Sequence, residues 1–232
     1  MDTRHRAERD ESMQPLVSLP FTPDNRDQRI RYYELLLERN RLDDLPRYDL
    51  PEGYRFVMYR PGDRDSWIAI EHSAGEVMGQ SHGEDVWGRY FSWNEAELPE
   101  RMVFIENEAG EKVATASAYL DIYGRDQSGA GWLHWVAVRK EDQGRGLARP
   151  LIAYTLRRLR SLGYNRAKIP TQTTTWVACK LYLDFGFTPI PENAVHSRDG
   201  WRIMRALTDH PALKAFDPAT VEEILSGEKE QR

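Results

Sequence analysis

The chain has almost no cysteine and no long apolar run. Cys179 is the single cysteine among 232 residues, so no disulfide can form within the chain and the core has to hold the fold. No stretch approaches the roughly 18 to 20 apolar residues that span a bilayer, and residues 1–12 lack the apolar centre of a secretory signal. These absences predict a soluble cytoplasmic protein with no membrane partner.

The chain also lacks an excess of positive charge. Its 32 Lys and Arg residues are outnumbered by 37 Asp and Glu residues, which gives a net charge of -5. Proteins that bind nucleic acid or anionic membranes through general electrostatics carry a basic excess, so neither is expected as a partner. Cationic or neutral partners fit this charge better.

Metal-ligand spacings are missing as well, because the chain has no His-x-x-x-His motif and no cysteine pair. The nearest approach to a ligand set is a group of acidic and imidazole side chains between residues 71 and 85. Without a recognised spacing this group predicts no metal site. Its members are Glu71, His72, His82, Glu84 and Asp85.

A strand, a glycine-rich turn and a helix follow one another after residue 131. The apolar strand Trp132–Val138 leads to the sequence QGRGLA at residues 143–148, here called the phosphate loop. The first N–H groups of a helix have no partner within the helix, so such a turn presents them to an anion. Pro150 has no N–H to give to the Gly146 carbonyl, so regular helical bonding can begin only later. The amides of residues 144–148 should therefore stay free to hold a pyrophosphate.

Two other kinds of phosphate-binding loop do not fit this turn. A dinucleotide-binding loop needs a small residue where Arg149 stands, and an acidic residue about 20 positions on, where Lys168 and Ile169 stand. A nucleotide-triphosphate loop needs Gly-Lys-Ser/Thr at the start of the helix, and the chain has no such run.

The phosphate loop, with its pattern Gln-x-x-Gly-x-Ala, resembles the acyl-CoA loop of the GNAT superfamily of N-acyltransferases. Residues 175–187, TWVACKLYLDFGF, resemble the family pattern Asn-x-x-Ala-x-x-Leu-Tyr-x-x-x-Gly-Phe, with Thr175 in place of the asparagine. The resemblance covers roughly residues 54–207. It implies an N-acetyltransferase that uses acetyl-CoA as co-substrate. The fold it implies is α/β, with a GNAT-like mixed sheet of six or seven strands, helices on both faces, and splayed parallel strands at 132–138 and 166–169.

The resemblance also implies catalytic roles. The N–H of Val136 would stabilise the oxyanion and Tyr182 would protonate the leaving thiolate. Many members carry a glutamate base where Trp132 stands, and His134 instead resembles the strand histidine of the arylalkylamine N-acetyltransferases. An ionisation of His134 around pH 6 to 8 would suit this task. Strand alternation places these side chains and Val138 on one face.

Each of these assignments has a plainer alternative. His134 can be a hydrogen-bonded structural histidine beside two tryptophans, and the Tyr182 ring can simply pack on the sheet. Cys179, without an adjacent histidine, is expected to be a buried packing residue. The predicted cofactor contacts are Val136, Ala137, Val138, Gln143, Gly144, Arg145, Gly146, Leu147, Ala148, Thr175 and Tyr182.

The GNAT resemblance implies that the first two helices and their loop form one wall of the acceptor cleft. The carboxylates and aromatic rings in this region, before residue 94, suit a cationic or aryl amine. The alternative is a tryptophan-rich core with a solvated acidic rim. Glu71, Glu84, Trp87 and Trp132 are the predicted substrate contacts. A small-molecule primary amine, attacking the thioester directly in a ternary complex, is the expected acceptor. A protein N-terminus or lysine, and a non-catalytic acyl-CoA-binding domain, are the alternatives.

The pattern of apolar residues predicts three regions along the chain. Residues 1–50 form an N-terminal extension with one amphipathic helix over 26–42, which also offers a surface for a homodimer. Residues 51–208 form the GNAT domain, and 209–232 form a helical segment and tail. Within the domain the pattern predicts helices at 64–73 and near 84–93, strands at 54–59, 102–107 and 112–119, and a last strand at 201–207.

Overall fold

The computed structural model of the chain describes residues 26–121, 124, 126–191 and 196–225. Residues 1–25 of the expected N-terminal extension and residues 226–232 at the end of the expected C-terminal segment lie outside these residues. In the described part, no helix combines the length and the apolar character needed to cross a membrane.

Seven strands in the described residues form one mixed sheet, in the order β2-β3-β4-β5-β6-β1-β7. Neighbours from β2 to β5 are antiparallel, and β5 pairs with β6 in parallel. The predicted α/β fold class, with a mixed sheet of six or seven strands, is confirmed. The strands are β1 (Glu34–Arg39), β2 (Arg55–Met58), β3 (Met102–Glu106), β4 (Lys112–Tyr119), β5 (Gly131–Val138), β6 (Ala167–Gln172) and β7 (Thr188–Pro189).

The sequence pattern predicts the bounds of two helices before residue 94. The first matches its predicted bounds, whereas the second begins at Gln80 and ends at Tyr90, earlier than expected at both ends. The α-helices in the described residues are α1 (Arg64–Ser73), α2 (Gln80–Tyr90), α3 (Leu98–Arg101), α4 (Ala148–Ser161), α5 (Trp176–Asp184), α6 (Ser197–Thr208) and α7 (Val221–Ile224).

The helix predicted over residues 26–42 is wrong, because this segment contains strand β1. Leu35, Leu36 and Leu37 are buried one after another, as happens in a strand that is covered on both faces. Leu37 pairs with Pro189 of β7 in an antiparallel register. A short continuous apolar run does not distinguish a strand from a buried helix, which explains the error. The division of the chain at residue 51 stays a prediction.

The strand predicted over residues 201–207 is also wrong, since these residues belong to helix α6. Buried residues recur there at helical spacing, with Trp201, Met204 and Leu207 or Thr208 on the inner side. The helical segment expected after residue 210 is reduced to a 3₁₀ turn, Pro211–Leu213, and the single turn α7.

Contacts divide the described residues into two compact units. The larger comprises 36–121, 124, 126–171 and 181–190, and its main apolar cluster joins α1 and α2 to strands β3 to β5. The smaller comprises 26–35, 172–180, 191 and 196–225. In the smaller unit Ile30 packs with the apolar side of α6 and forms a β-bridge with Leu225.

Candidate active site

The parallel strands β5 and β6 pair only at their beginning. The paired residues are Gly131 with Ala167 and Trp132 with Lys168. Beyond this point β5 continues to Val138 and β6 to Gln172 without pairing with each other. The strands splay as the family resemblance implies, so beyond Trp132 the edge of β5 that faces away from β4 has no strand partner among the described residues. This edge is here called the open edge of β5.

The peptide groups of Val138 belong to this open edge. The N–H of Arg139 donates to the carbonyl of Val113 on β4, at 2.8 Å. Because backbone groups alternate in direction along a strand, the N–H and the carbonyl of Val138 face away from β4. The carbonyl of Val138 accepts a hydrogen bond from Nε2 of Gln143 at 3.0 Å. Gln143 thereby ties the phosphate loop to the open edge of β5.

The phosphate loop turns through two glycines in left-handed geometry, Gly144 at φ +75° and Gly146 at φ +80°. Helix α4 begins at Ala148, and the N–H of Leu151 donates to the carbonyl of Leu147 at 3.2 Å. No acceptor among the described residues meets the N–H groups of residues 144–149. The backbone therefore offers a row of free donors at the start of a helix, as the glycines and Pro150 predict.

Two arginines of this region have carboxylate partners. The guanidinium of Arg145 lies 3.5 Å from Asp142, and that of Arg149 lies 3.0 Å from Asp184. These carboxylates offset much of the positive charge that the arginines bring. Attraction for an anion at this loop therefore depends mainly on the free N–H groups and the helix dipole.

Strand β5 contains a β-bulge. His134 and Ala137 are paired with β4 residues that lie only two positions apart. Trp135 and Val136 consequently oppose a single residue, Ala116. Trp135 has a φ of +52°, a left-handed conformation that is uncommon outside glycine and occurs at bulges. The bulge releases local backbone groups from the regular ladder next to the open edge.

The bulge corrects the predicted faces of β5. Trp132 and His134 share one face as expected, but beyond the bulge Ala137 continues that face and Val138 lies on the other. The placement of Val138 beside His134 is therefore wrong, because one extra residue reverses the alternation. Val136 lies in the bulge itself.

His134 is enclosed by aromatic rings and is 8% exposed. Its imidazole stacks on Trp132, with ring centroids 5.5 Å apart and planes 13° apart. The edges of two tyrosines complete the enclosure, Tyr90 at 5.8 Å and Tyr119 at 6.5 Å. Tyr90 is one of the aromatic rings before residue 94 that the sequence predicts at the acceptor cleft, whereas no sequence pattern indicates Tyr119, which reaches His134 through tertiary packing.

Burial lowers the pKa of His134 to about 4, and it outweighs the charge of Asp121 and the hydrogen bond to the Leu120 carbonyl. The Nε2 atom is buried and has no partner among the described residues. The imidazole is thus neutral at physiological pH, with a lone pair available at Nε2. The expected ionisation around pH 6 to 8 is wrong for this histidine, because the aromatic enclosure disfavours its charged form.

Residues 175–187 contain one predicted catalytic side chain, Tyr182, and one further predicted cofactor contact, Thr175. Tyr182 is buried on α5, and its ring meets Phe187 at 6.4 Å. Burial raises the pKa of Cys179, which agrees with an inert packing cysteine. Thr175 lies in the 3₁₀ turn before α5 and donates its hydroxyl to the Gln172 carbonyl at 3.1 Å. The catalytic role of Tyr182 and the cofactor contact of Thr175 stay predictions.

The predicted acceptor contacts have very different surroundings. Trp132 stacks on His134, whereas Trp87 is buried in the core. Glu84 is exposed on α2 and accepts a hydrogen bond from Gln80 Nε2 at 3.0 Å. Glu71 is fully buried on α1. The roles of these four side chains in acceptor binding stay predictions.

Glu71 is an unusual core residue, because neither of its carboxylate oxygens has a partner among the described residues. Burial, with a smaller contribution from the charge of Glu76, raises the pKa of Glu71 well above its ordinary value. One turn earlier, the buried Nε1 of Trp67 also lacks a described partner. The helical spacing of Trp67, Ile70 and Ala74 indicates from the sequence alone that position 71 faces inward.

We expect Glu71→Gln to remove a pH dependence of stability. The folded protein binds this proton more tightly than the unfolded chain does, so the free energy of unfolding falls as pH rises from about 4.5 through the raised pKa. At pH 8 the variant should be more stable than the unaltered protein, because its amide has no proton to lose. The difference should be about 1.4 kcal/mol for each unit by which burial raises the pKa of Glu71, as far as pH 8. Urea unfolding at pH 5 and pH 8 measures this difference.

The matched control is Glu84→Gln, which alters an exposed carboxylate on the neighbouring helix. Surface changes usually stay within about 0.5 kcal/mol, so this variant should follow the unaltered protein at both pH values. If Glu71→Gln also follows it, the carboxyl group of Glu71 titrates normally.

Comparison with known proteins identifies the family to which the chain belongs. The model of the Acetyltransferase (GNAT) family matches residues 31–187, and no curated protein matches the chain. A GCN5-related N-acetyltransferase from Sphaerobacter thermophilus is 22% identical, with a TM-score of 0.55 over 70% of this chain and 49% of that one. A Drosophila protein is 16% identical, with a TM-score of 0.50 over 71% of this chain and 50% of that one.

The chain spans about half the length of these two solved structures, and at such low identity they support the fold alone. The family match is broader, since it covers more than half of the chain and includes strands β1 to β6, the phosphate loop and α5. The chain therefore belongs to the GNAT acetyltransferase family.

Proposed function

We propose that the protein transfers an acetyl group from acetyl-CoA to the primary amine of a small molecule, by direct attack in a ternary complex. Membership of the family implies an acyl-CoA donor, and the acetyl group and the acceptor class are the proposed refinements. The observation that carries the proposal is the row of free N–H groups at residues 144–149, beside the open edge of β5. Such a row suits the pyrophosphate of an acyl-CoA.

The proposed position of the rest of the cofactor follows from the position of its pyrophosphate. With the pyrophosphate on residues 144–148, the pantetheine arm extends along Val136, Ala137 and Val138 between the splayed strands. Backbone groups on an open strand edge are available to pair with the two amides of the arm. This places the thioester near the bulge, with the N–H of Val136 as the proposed oxyanion donor.

Three groups of the protein carry out the proposed steps of acetyl transfer. Nε2 of His134 accepts a proton from the amine as its nitrogen bonds to the thioester carbon, and the carbonyl electrons move to the oxygen. The N–H of Val136 stabilises that oxyanion. When the intermediate collapses, the carbon–sulfur bond breaks and Tyr182 donates a proton to the thiolate. The His134 imidazole is neutral at physiological pH, so Nε2 carries no proton before the first step, and its pKa of about 4 makes it a weaker base than a histidine that titrates near neutrality.

The aromatic enclosure of His134 favours a small acceptor. A base that is 8% exposed and bordered by Trp132 and Tyr90 leaves little room for a folded protein surface. Thiol release from acetyl-CoA, measured across amines, polyamines, aminoglycosides, amino acids and peptides, tests this class. Release with peptides but with none of the small amines would assign the acceptor to proteins instead.

We expect Gly146→Val to weaken binding of acetyl-CoA by roughly ten- to a hundredfold, equivalent to losing about 1.5 to 3 kcal/mol of charged hydrogen bonding. A β-branched residue is strained at the left-handed φ of +80°. Its relaxation would turn the loop amides away from the phosphates. Calorimetric titration with acetyl-CoA measures the change.

Gly110→Val is the control, because Gly110 has nearly the same φ, +79°, in the β3–β4 hairpin, with no atom within 4 Å of an added Cβ. Both variants should lose similar stability, while only the loop variant loses affinity. Equal affinity in the two proteins would move the phosphate site away from this loop.

A further inference from the structure

One carboxylate joins the two splayed strands at their last pair. Asp126 lies in the connection between β4 and β5. Its Oδ1 accepts a hydrogen bond from Nζ of Lys168 on β6 at 2.8 Å. Its Oδ2 accepts one from Nε1 of Trp132 on β5 at 3.0 Å. Because Trp132 and Lys168 form the final parallel pair, Asp126 bridges the strands where they begin to separate.

These contacts hold the indole of Trp132 in two ways. Asp126 fixes the edge of the ring through Nε1, and Nζ of Lys168 lies 6.0 Å from the ring centroid, within cation–π range. Asp126 also accepts a hydrogen bond from the N–H of Ser128 at 2.9 Å. The indole is therefore fixed from β6 and from the connection before it stacks on His134.

We infer that Asp126 and Lys168 are positioning residues for His134 and act on it through Trp132. This inference rests on the proposed role of His134 as the base. The indole covers one face of the imidazole, so fixing the indole fixes the plane of the imidazole and excludes water from it. A base must point its lone pair at the amine, and a wall that holds the imidazole still limits the directions available to Nε2.

The ionisation of His134 reports this packing directly. Its charged form is disfavoured by burial, so an indole that moves and admits water should let the pKa of His134 return toward about 6.5. The other titratable groups that face the imidazole are Asp121, Tyr90 and Tyr119. The variants below leave those three groups unchanged. A shift in Trp132→Phe, which alters no charge, therefore comes from the indole, whereas Lys168→Met also removes a positive charge beside Asp126.

The chain contains a second pair of the same kind. Lys112 Nζ lies 2.9 Å from Asp63, with side chains 18% and 13% exposed, against 15% and 7% for Lys168 and Asp126. Lys112 also lies 5.6 Å from the ring centroid of Phe104. Ser117, opposite His134, is five residues along β4 from Lys112, or about 16 Å at roughly 3.3 Å per residue. Lys112→Met is thus a matched control.

The experiment follows the His134 imidazole by NMR during a pH titration without substrates, in Trp132→Phe, Lys168→Met and Lys112→Met. Trp132→Phe keeps a ring against His134 and the ion pair with Lys168, but removes the N–H that holds the ring to Asp126. We expect the pKa of His134 to rise by about one unit or more in the first two variants and to stay unchanged in the control. Acetyl transfer should fall roughly tenfold in the first two.

Each result decides the inference. If the pKa of His134 does not change in folded Trp132→Phe, the inference is wrong. This result is sufficient even if Lys168→Met is too unstable to study. A purely structural ion pair would lower the melting temperature when it is removed, but it would not change the pKa of the imidazole. A raised pKa with undiminished turnover keeps the positioning role and removes His134 as the base. The failure of the inference and the failure of the proposed function are thereby distinguished.

Discussion

Tyr182→Phe is expected to lower kcat by roughly ten- to a thousandfold while affinity for acetyl-CoA stays nearly unchanged. The substitution removes only the hydroxyl, so the buried ring still packs against Phe187. The departing thiolate loses its proton donor, and this loss acts in the transition state rather than in cofactor binding. Single-turnover rates and calorimetry on the same preparations measure the two quantities.

Tyr154→Phe serves as the control for this result. Tyr154 lies on α4, and its hydroxyl contacts the sulfur of Met58 at 3.6 Å, on strand β2, which is three strands from β5 in the sheet. Its removal should leave kcat within about twofold, because surface or weakly bonded hydroxyls contribute little. Equal turnover in Tyr182→Phe and the unaltered protein, with chemistry rate-limiting, would assign Tyr182 to packing.

His134→Gln is expected to reduce kcat/KM by about a hundred- to ten-thousandfold, the usual contribution of a general base. The base acts in its neutral form, so the rate should rise as pH increases through the pKa of about 4. Between pH 6 and 8 His134 is already neutral and contributes no further rise. A rise in kcat/KM between pH 6 and 8 should therefore report the deprotonation of the amine substrate.

Two amines of different basicity separate these ionisations, because a substrate limb moves with the amine and an enzyme limb does not. The limb near pH 4 should disappear in His134→Gln and persist in His196→Gln, whose exposed imidazole lies beside Asp199. A limb near pH 7 that stays fixed for both amines, and survives in His134→Gln, would require a different base.

Local chemistry explains which parts of the site the sequence predicts. The free amides of the phosphate loop follow from two glycines and Pro150, whose effects act within a few residues. The hairpin of β3 and β4 follows from alternation and a glycine turn in the same way. Features of this kind need no knowledge of distant parts of the chain.

The remaining features depend on partners far away in sequence. The bulge at Trp135 exists only in the register of β5 against β4, and alternation alone placed Val138 on the wrong face. The depressed pKa of His134 depends on Tyr90 and Tyr119, which no local pattern connects with it. The predicted helix at residues 26–42 is wrong because the three leucines of β1 are covered on both faces only after other elements assemble.

The position of β1 in the sheet has a consequence for synthesis of the chain. Leu37 pairs with Pro189, about 150 residues later, and β1 lies between β6 and β7 in the strand order. A ribosome adding about 5 to 20 residues per second needs roughly 8 to 30 seconds to produce that partner. During this interval the apolar strand β1 is synthesised but not yet paired with β7, and an unpaired apolar strand is prone to aggregation. Chaperone demand during translation should therefore concentrate on strand β1 rather than on the active site.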